Sequence, residues 1–325
     1  MFLNEINQAC KIIIVHNGAL GDFLLAWPTI WNIKQNFSQT KVFWAGREIY
    51  LPWIEKMGIN RADPMTRKAV QSLYSAPSWP DTFKDTLIFW FGLKQRIIKI
   101  IHPNLIFLTG IDLNRKNHVR EVYARKLKSL GLIWDDNWLF AWQNLYLPTL
   151  KPESIIIFPG SGHPAKNWPL HSFFMLAKNL QKDKENIRFV LGPVEVERKL
   201  TINDFPVVTP QDFNQLLDIL ARAKMVIGND SGPLHLAGYM GIPGISLFGP
   251  TSPKQWAPQG MHILTSPKGC APCSDLGKIS CPAPECMAEI KVRSVLATAR
   301  KILGKLGERD VENLERLAAA PFQKT

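Results

Sequence analysis

A two-lobed α/β fold, each lobe built on a parallel sheet, is predicted by three observations. The order of strand, glycine loop and helix that opens the chain at Lys11 begins again at Ser154. In both halves short β-branched or aromatic runs alternate with helical periods, the pattern of parallel strands joined by crossover helices. The length of 325 residues suits two domains, at roughly 100 to 200 residues each. Folds of this kind gather ligands at the carboxyl ends of their strands, so two Rossmann-like sheets facing a central cleft are expected.

Taken in order, Lys11 to Val15 is a β-branched strand, Asn17 to Gly21 a glycine turn, and Phe23 to Asn36 a helix. Strands are expected at Lys41 to Ala45, Thr86 to Phe91 and Leu105 to Leu108. Helices are expected at Trp53 to Met57, Lys94 to Ile101 and Val119 to Leu130, the last closed by Gly131 as a C-cap. Leu147 to Pro152, polar with two prolines, reads as the linker. The boundary therefore divides an N-terminal domain, 1–150, from a C-terminal domain, 151–325, that contains a Cys-rich segment at 270–286. The second half gives strands at Ser154 to Phe158, Ile187 to Leu191, Met225 to Ile227 and Gly244 to Phe248. Its helices are His171 to Gln181, Phe213 to Arg222, Leu234 to Tyr239 and Ile290 to Leu303, followed by a helical tail.

The composition narrows the class. Hydrophobic residues at 46%, charged residues at 20%, 11 Trp and 17 Phe supply packed cores and exclude a disordered chain. The longest uncharged apolar runs, Ile12 to Val15 and Leu87 to Phe91, fall far short of the roughly 20 residues that span a bilayer. Met1 to Cys10 has no basic residue, so the n-region of a secretory signal is missing and a cytoplasmic protein is expected. Lys plus Arg at 39 against Asp plus Glu at 27 gives +12, a surplus suited to anionic partners. Its aromatic and basic stretch Phe89-Trp90-Phe91-Gly92-Leu93-Lys94-Gln95-Arg96 is a candidate membrane contact, with a buried strand as the competing reading.

Three constellations can carry chemistry. In Asn17-Gly18-Ala19-Leu20-Gly21-Asp22, Gly18 and Gly21 admit close approach of a ligand, and Asp22 offers a carboxylate, or only a helix cap. In Phe158-Pro159-Gly160-Ser161-Gly162-His163-Pro164-Ala165-Lys166-Asn167-Trp168-Pro169, Ser161, loop N–H groups and the Lys166 ammonium suit an anion. In Gly228-Asn229-Asp230-Ser231-Gly232-Pro233-Leu234-His235, a strand end and a helix start meet, and Gly232 lets N–H groups reach a diphosphate. His235 is there either a packed core residue or a hydrogen-bonding partner of a sugar or phosphate. Neither G-x-G-x-x-G nor G-x-x-x-x-G-K-[ST] occurs at these loops, which argues against dinucleotide binding and triphosphate hydrolysis.

Together and in this order the motifs resemble glycosyltransferase family 9, the ADP-heptose:lipopolysaccharide heptosyltransferases. The anchors are Gly18 to Pro28, Phe158 to Pro169, Val226 to Gly260 and the Cys segment. The resemblance implies the GT-B fold and an inverting, metal-independent transfer from an ADP-sugar, with ADP-heptose first, to lipopolysaccharide core or a related glycolipid. Asp22 matches the catalytic base. Lys166 and Ser161, with Ser231 and Gly232, match the contacts to the donor diphosphate, and Asp230 and His235 those to its sugar and phosphates. One of Glu195 and Glu197 matches the residue on the ribose hydroxyls. The implied partners are the ADP-sugar, a phosphorylated glycolipid and the cytoplasmic face of the inner membrane, with no nucleic acid. The acceptor-side loop departs from the family pattern, with His16 and Asn17 where a basic residue is common and a more apolar and aromatic stretch at Phe23 to Pro28.

Cys270, Cys273, Cys281 and Cys286 are spaced C-x2-C-x7-C-x4-C. Four thiolates so placed suit a structural Zn or Fe ion or, equally, a proline-rich loop with packed thiols. Transfer to a protein or another surface glycan is the alternative within enzymes. A metal-stapled nucleic-acid-binding protein is the alternative outside them, and it leaves Gly18 to Asp22 and Asp230 to His235 unexplained.

Overall fold

The computed structural model describes residues 10–92, 102–114, 116–147, 151–274, 279, 281 and 285–319, with 305 and 307–319 as backbone only. The predicted helix Lys94 to Ile101 and part of the linker lie outside the described residues. Two compact units form: Met1–Thr149 with Ser252–Ala257 and Ser274–Lys278, and Leu150–Thr251 with Pro258–Cys273 and Ile279–Thr325.

The first unit is a five-stranded parallel sheet of order β3-β2-β1-β4-β5 among the described residues. Its strands are β1 (Lys11–His16), β2 (Lys41–Trp44), β3 (Asn60–Arg61), β4 (Thr86–Phe91) and β5 (Leu105–Leu108). β1 and β4 pair in parallel from Lys11↔Thr86 to His16↔Phe91 and are apolar on both faces, as central strands covered by helices must be. One face packs Ile13, Val15, Ile88 and Trp90 against Val70 and Leu73 of helix α3 (Pro64–Ser72) and the residue after it. Because Phe89, Trp90 and Phe91 lie buried in β4, they are no membrane contact; of that candidate stretch, residues 93–96 lie outside the described residues.

Helix α1 (Leu20–Asn36) begins three residues earlier than its sequence suggests, so Gly21 and Asp22 belong to its first turn and not to a loop. Pro28 interrupts the backbone ladder of this helix, since it has no N–H to donate. Two asparagines further along tie the helix down. The Asn32 side chain donates to Pro28 O at 2.8 Å and accepts from Asp135 N. Asn36 donates to Ile133 O and accepts from Ile133 N, both at 2.8 Å. The unit also contains α2 (Leu51–Lys56), α4 (Val119–Ser129) and α5 (Trp138–Tyr146). Gly131 follows α4 at φ 78°, the left-handed cap its position predicts.

The second unit is a six-stranded parallel sheet of order β11-β10-β9-β6-β7-β8 among the described residues. These strands are β6 (Ser154–Phe158), β7 (Ile187–Val190), β8 (Val207–Val208), β9 (Ala223–Asn229), β10 (Gly244–Phe248) and β11 (His262–Thr265). Helices α6 (Leu170–Lys182), α7 (Pro193–Glu197), α8 (Phe213–Ala221) and α9 (Gly232–Tyr239) alternate with them. α10 (Pro253–Trp256) belongs to the segment grouped with the first unit, and α11 (Val292–Ala319) closes the second. Its core joins Ile155, Ile157, Phe173, Phe189, Met225, Ile227 and Leu247 to Cys286, Met287 and Val295. Among the described residues no helix is long and apolar enough to cross a membrane.

Candidate active site

In each sheet the chain order reverses at one place, between β1 and β4 in the first and between β6 and β9 in the second. Helices leave such a reversal on opposite sides and open a crevice at the carboxyl ends of the strands. Asp22 follows β1 at the first of these places, and Lys166, Asp230 and Ser231 follow β6 and β9 at the second.

In the first unit a cavity of about 400 Å³ is lined by His16 at the end of β1, Gly18 and Asp22 beyond it, Trp90, Phe91 and Gly92 at the end of β4, and Gly110 after β5. Tyr74, Tyr123, Val119, Leu25 and Trp256 complete most of the wall. Asp22, on the first turn of α1, accepts from Ala19 N at 3.2 Å. It is therefore both a helix cap and a cavity carboxylate, where the sequence offered these as alternatives. Gly18 has no room for a side chain: a Cβ there would stand 2.8 Å from Asp22 Cβ and 2.9 Å from His16 Cε1. The Gly18 carbonyl is held by Tyr50 Oη at 3.0 Å and Arg47 Nη1 at 3.4 Å, two residues that no sequence motif announced. Asp22's negative charge and burial both raise the Tyr50 phenol, to about 12, with burial the larger cause.

His16 is enclosed by Phe23, Trp44, Tyr50 and Phe91, and burial lowers its pKa to about 4. The unfolded chain takes up that proton near the ordinary value, so stability is full above roughly pH 6.5 and falls as pH drops towards 4. His16 alone accounts for a loss of roughly 3 kcal/mol across that window. His118, lowered to about 4 mainly by burial and then by Arg120, adds in the same direction. The urea midpoint is expected to fall steadily between pH 7 and 4, and less so in His16→Phe. A midpoint that is level over this range in the parent chain excludes the effect.

In the second unit four loops leave the carboxyl ends of β6, β7, β9 and β10. Lys166 Nζ lies 3.0 Å from Asp230 Oδ2, and Thr251 Oγ1 donates to the same oxygen at 2.8 Å. Asn229 links two of the loops: its Nδ2 donates to Pro159 O at 2.8 Å and its Oδ1 accepts from Trp168 N at 2.8 Å. Ser161 Oγ stays within its own loop, 2.6 Å from Asn167 Oδ1 and 2.9 Å from His163 O. Ser231 caps α9, and its Oγ is buried with no hydrogen-bond partner among the described residues. His235, 2% exposed, is a packed residue of α9.

Glu195 and Glu197 separate clearly. Glu197 is exposed, whereas Glu195 is 8% exposed and accepts from Gly192 N at 3.0 Å. Burial pushes its carboxyl upward. A Cβ on Gly160 would lie 1.9 Å from Glu195 Oε1, so the β6 loop rests directly on this carboxylate.

The Cys segment adjoins the β10 loop. Cys273 N donates to Pro250 O at 2.9 Å, and a Cβ on Gly249 would meet Cys286 Sγ at 2.9 Å. Cys286 is buried, and its thiol is pushed up first by burial and then by Cys273, with Cys270 and Cys281 adding to it. Among the described residues no three Cys, His, Asp or Glu side chains converge as metal donors.

Two parallel-sheet α/β lobes, each with polar groups at its strand reversal, are the components of the GT-B fold. Residues 133–282 match the model of glycosyltransferase family 9 (heptosyltransferase). The lipooligosaccharide heptosyltransferase 2 of Campylobacter jejuni serotype O:2 is 25% identical over 329 residues, covering 90% of this chain and 98% of its own. The Escherichia coli heptosyltransferase WaaC, solved with ADP-2-deoxy-2-fluoro heptose, superimposes with a TM-score of 0.60 at 17% identity, covering 90% of this chain and 99% of its own. The iron-containing dodecameric glycosyltransferase TibC of enterotoxigenic E. coli H10407 does so with a TM-score of 0.62 at 16% identity, covering 92% and 77%. Over residues 133–282 the chain is similar to glycosyltransferase family 9, and over most of its length to heptosyltransferases.

Proposed function

We propose that this enzyme transfers heptose, or a related sugar, from an ADP-sugar to lipopolysaccharide core or a related glycolipid, with inversion at the anomeric carbon. The observation that carries the reading is the pairing of Lys166 with Asp230 beside the uncommitted hydroxyl of Ser231, at the strand reversal of the second sheet. There the C-terminal domain binds the donor. Lys166, Ser231, the Gly232 amide and the start of α9 meet the diphosphate, Ser161 shapes the loop, and Asp230 orients Lys166. Glu195, and not Glu197, takes the ribose hydroxyls, while His235 packs beneath the contact set.

Asp22, in the N-terminal acceptor domain, accepts the proton of the acceptor hydroxyl as that oxygen attacks the anomeric carbon from the face opposite the leaving group. The carbon–oxygen bond to the diphosphate breaks, and its electron pair departs on ADP. Lys166 and the helix start stabilise the charge that grows there, which favours the transition state over the ground state. On this reading catalysis needs no cofactor. The four cysteine thiolates are a donor set suited to a structural Zn or Fe ion, and binding would draw them closer together. Elemental analysis near one Zn or Fe per chain supports that assignment, and neither metal leaves packed thiols.

The enzyme would work at the cytoplasmic face of the inner membrane, where such an acceptor is held. The +12 charge and Met65, 81% exposed beside Arg67 and Lys68, favour an anionic surface. Calorimetry is expected to give saturable binding of ADP-heptose. Absence of any ADP-sugar binding, with salt-sensitive binding of duplex DNA instead, ends the reading.

A further inference from the structure

The cavity beside Asp22 has a composition that the transfer reaction alone does not require. Its wall brings together Tyr74, Trp90, Phe91, Tyr123 and Trp256, with Leu25 and Val119. Among the described residues it contains Asp22 as an acidic group and neither lysine nor arginine. Arg47 reaches the Gly18 carbonyl but is not part of the lining.

The rings are fixed in place. Tyr74 meets Trp90 edge to face at 5.1 Å, and Phe91 meets Tyr123 in the same way at 5.5 Å. Gly110 keeps the wall smooth, since a Cβ there would stand 2.4 Å from Val119 Cγ1 and 2.8 Å from Tyr123 Cζ. The segment carrying Trp256 is anchored inside the same unit. His118 Nε2 lies 3.1 Å from Ala257 O, and Gln255 Nε2 donates to Asp112 O at 3.1 Å.

Resting on the glycosyltransferase reading above, we propose that this cavity is a stacking subsite for an uncharged pyranose ring of the acceptor, which lays its C–H face on the aromatic wall and turns a hydroxyl to Asp22. Apolar C–H bonds gain from burial against aromatic faces. A phosphate or carboxylate on the same ring would be taken from water and set near Asp22 with no cation in the described wall, which is costly at low dielectric. A cavity of about 400 Å³ lies at the lower end of small-molecule sites, which run from roughly 300 to 1,000 Å³, and suits one sugar unit. Anionic groups of a glycolipid acceptor are therefore carried on neighbouring units, outside this subsite.

The test is saturation-transfer NMR on the full chain with methyl mannopyranoside and with its 6-phosphate. The neutral glycoside is expected to bind saturably, with transfer strongest on the C–H protons of one ring face, and the phosphate to bind at least about tenfold more weakly. Tyr74, 38% exposed, can be changed with little risk to the core. Tyr74→Ala should weaken the neutral glycoside several-fold and Tyr74→Phe should not. No saturable transfer, equal binding of the phosphate, or Tyr74→Ala binding unchanged would each overturn the proposal. Donor calorimetry is independent of all three, so loss of the transferase reading is seen separately.

Discussion

Asp22→Asn is expected to lower kcat for glycosyl transfer by roughly three orders of magnitude, within the range set by loss of a positioned base, while the dissociation constant of the ADP-sugar stays unchanged. The amide is close in shape to the carboxylate and its Oδ1 can still accept from Ala19 N, so the start of α1 survives. What it cannot do is take up the acceptor's proton. Steady-state kinetics with varied acceptor, paired with donor calorimetry, separates the two effects. Retained turnover removes Asp22 as the base, and lost donor binding assigns it to the donor.

Lys166→Ala is expected to act on the other substrate and on the fold together. Transfer should drop by roughly two to three orders of magnitude, the usual consequence of removing one charge-stabilising donor. The Asp230 carboxylate would also be left with Thr251 as its remaining partner in the Lys166–Asp230–Thr251 set, in a site where its side chain is 8% exposed. Stranding a buried charge is destabilising, so the melting temperature should fall. Adding Asp230→Asn to Lys166→Ala should recover the melting temperature without recovering transfer. Recovery of both by the second change would mean that Lys166 serves only to neutralise Asp230.

These sites were legible in part, for physical reasons that differ from residue to residue. β1, β4 and β6 are buried on both faces, so their apolar runs are continuous and mark both lobes. The start of α1 was hidden because Ala19 offers no capping side chain and Leu20-Gly21 carries no helix signal. Asp22 is therefore visible in the sequence as a candidate carboxylate, while its place inside the helix is not. α3 has a legible start, Asp63 accepting from Thr66 N at 2.8 Å ahead of Pro64, yet its sequence is mostly polar and its buried face is reduced to Thr66 and Val70. α5 has the opposite fault, an almost wholly apolar run with no side-chain cap. β3 and β8, two residues each, are too short for any pattern.

Tertiary pairings left no trace in local sequence. Lys166 and Asp230 are 64 positions apart, and Thr251 reaches them only because β10 lies next to β9. Glu195 and Glu197 differ by burial, which no local pattern shows and which puts one carboxylate beneath Gly160 and the other in solvent. The aromatic cavity draws on residues from His16 to Trp256. Its composition could not be read from any single stretch.

Asn32 and Asn36 give α1 a fixed rotational setting. An α-helix turns about 100° per residue, so a slip of one position would swing Asp22 by that angle and carry its carboxylate out of the cavity wall. Two side-chain amides that each donate and accept against the Ile133–Asp135 backbone act as index pins, because only one phase of the helix presents both at once. The aim of the carboxylate is thus set more than two turns away from it, at residues whose side chains are engaged by backbone.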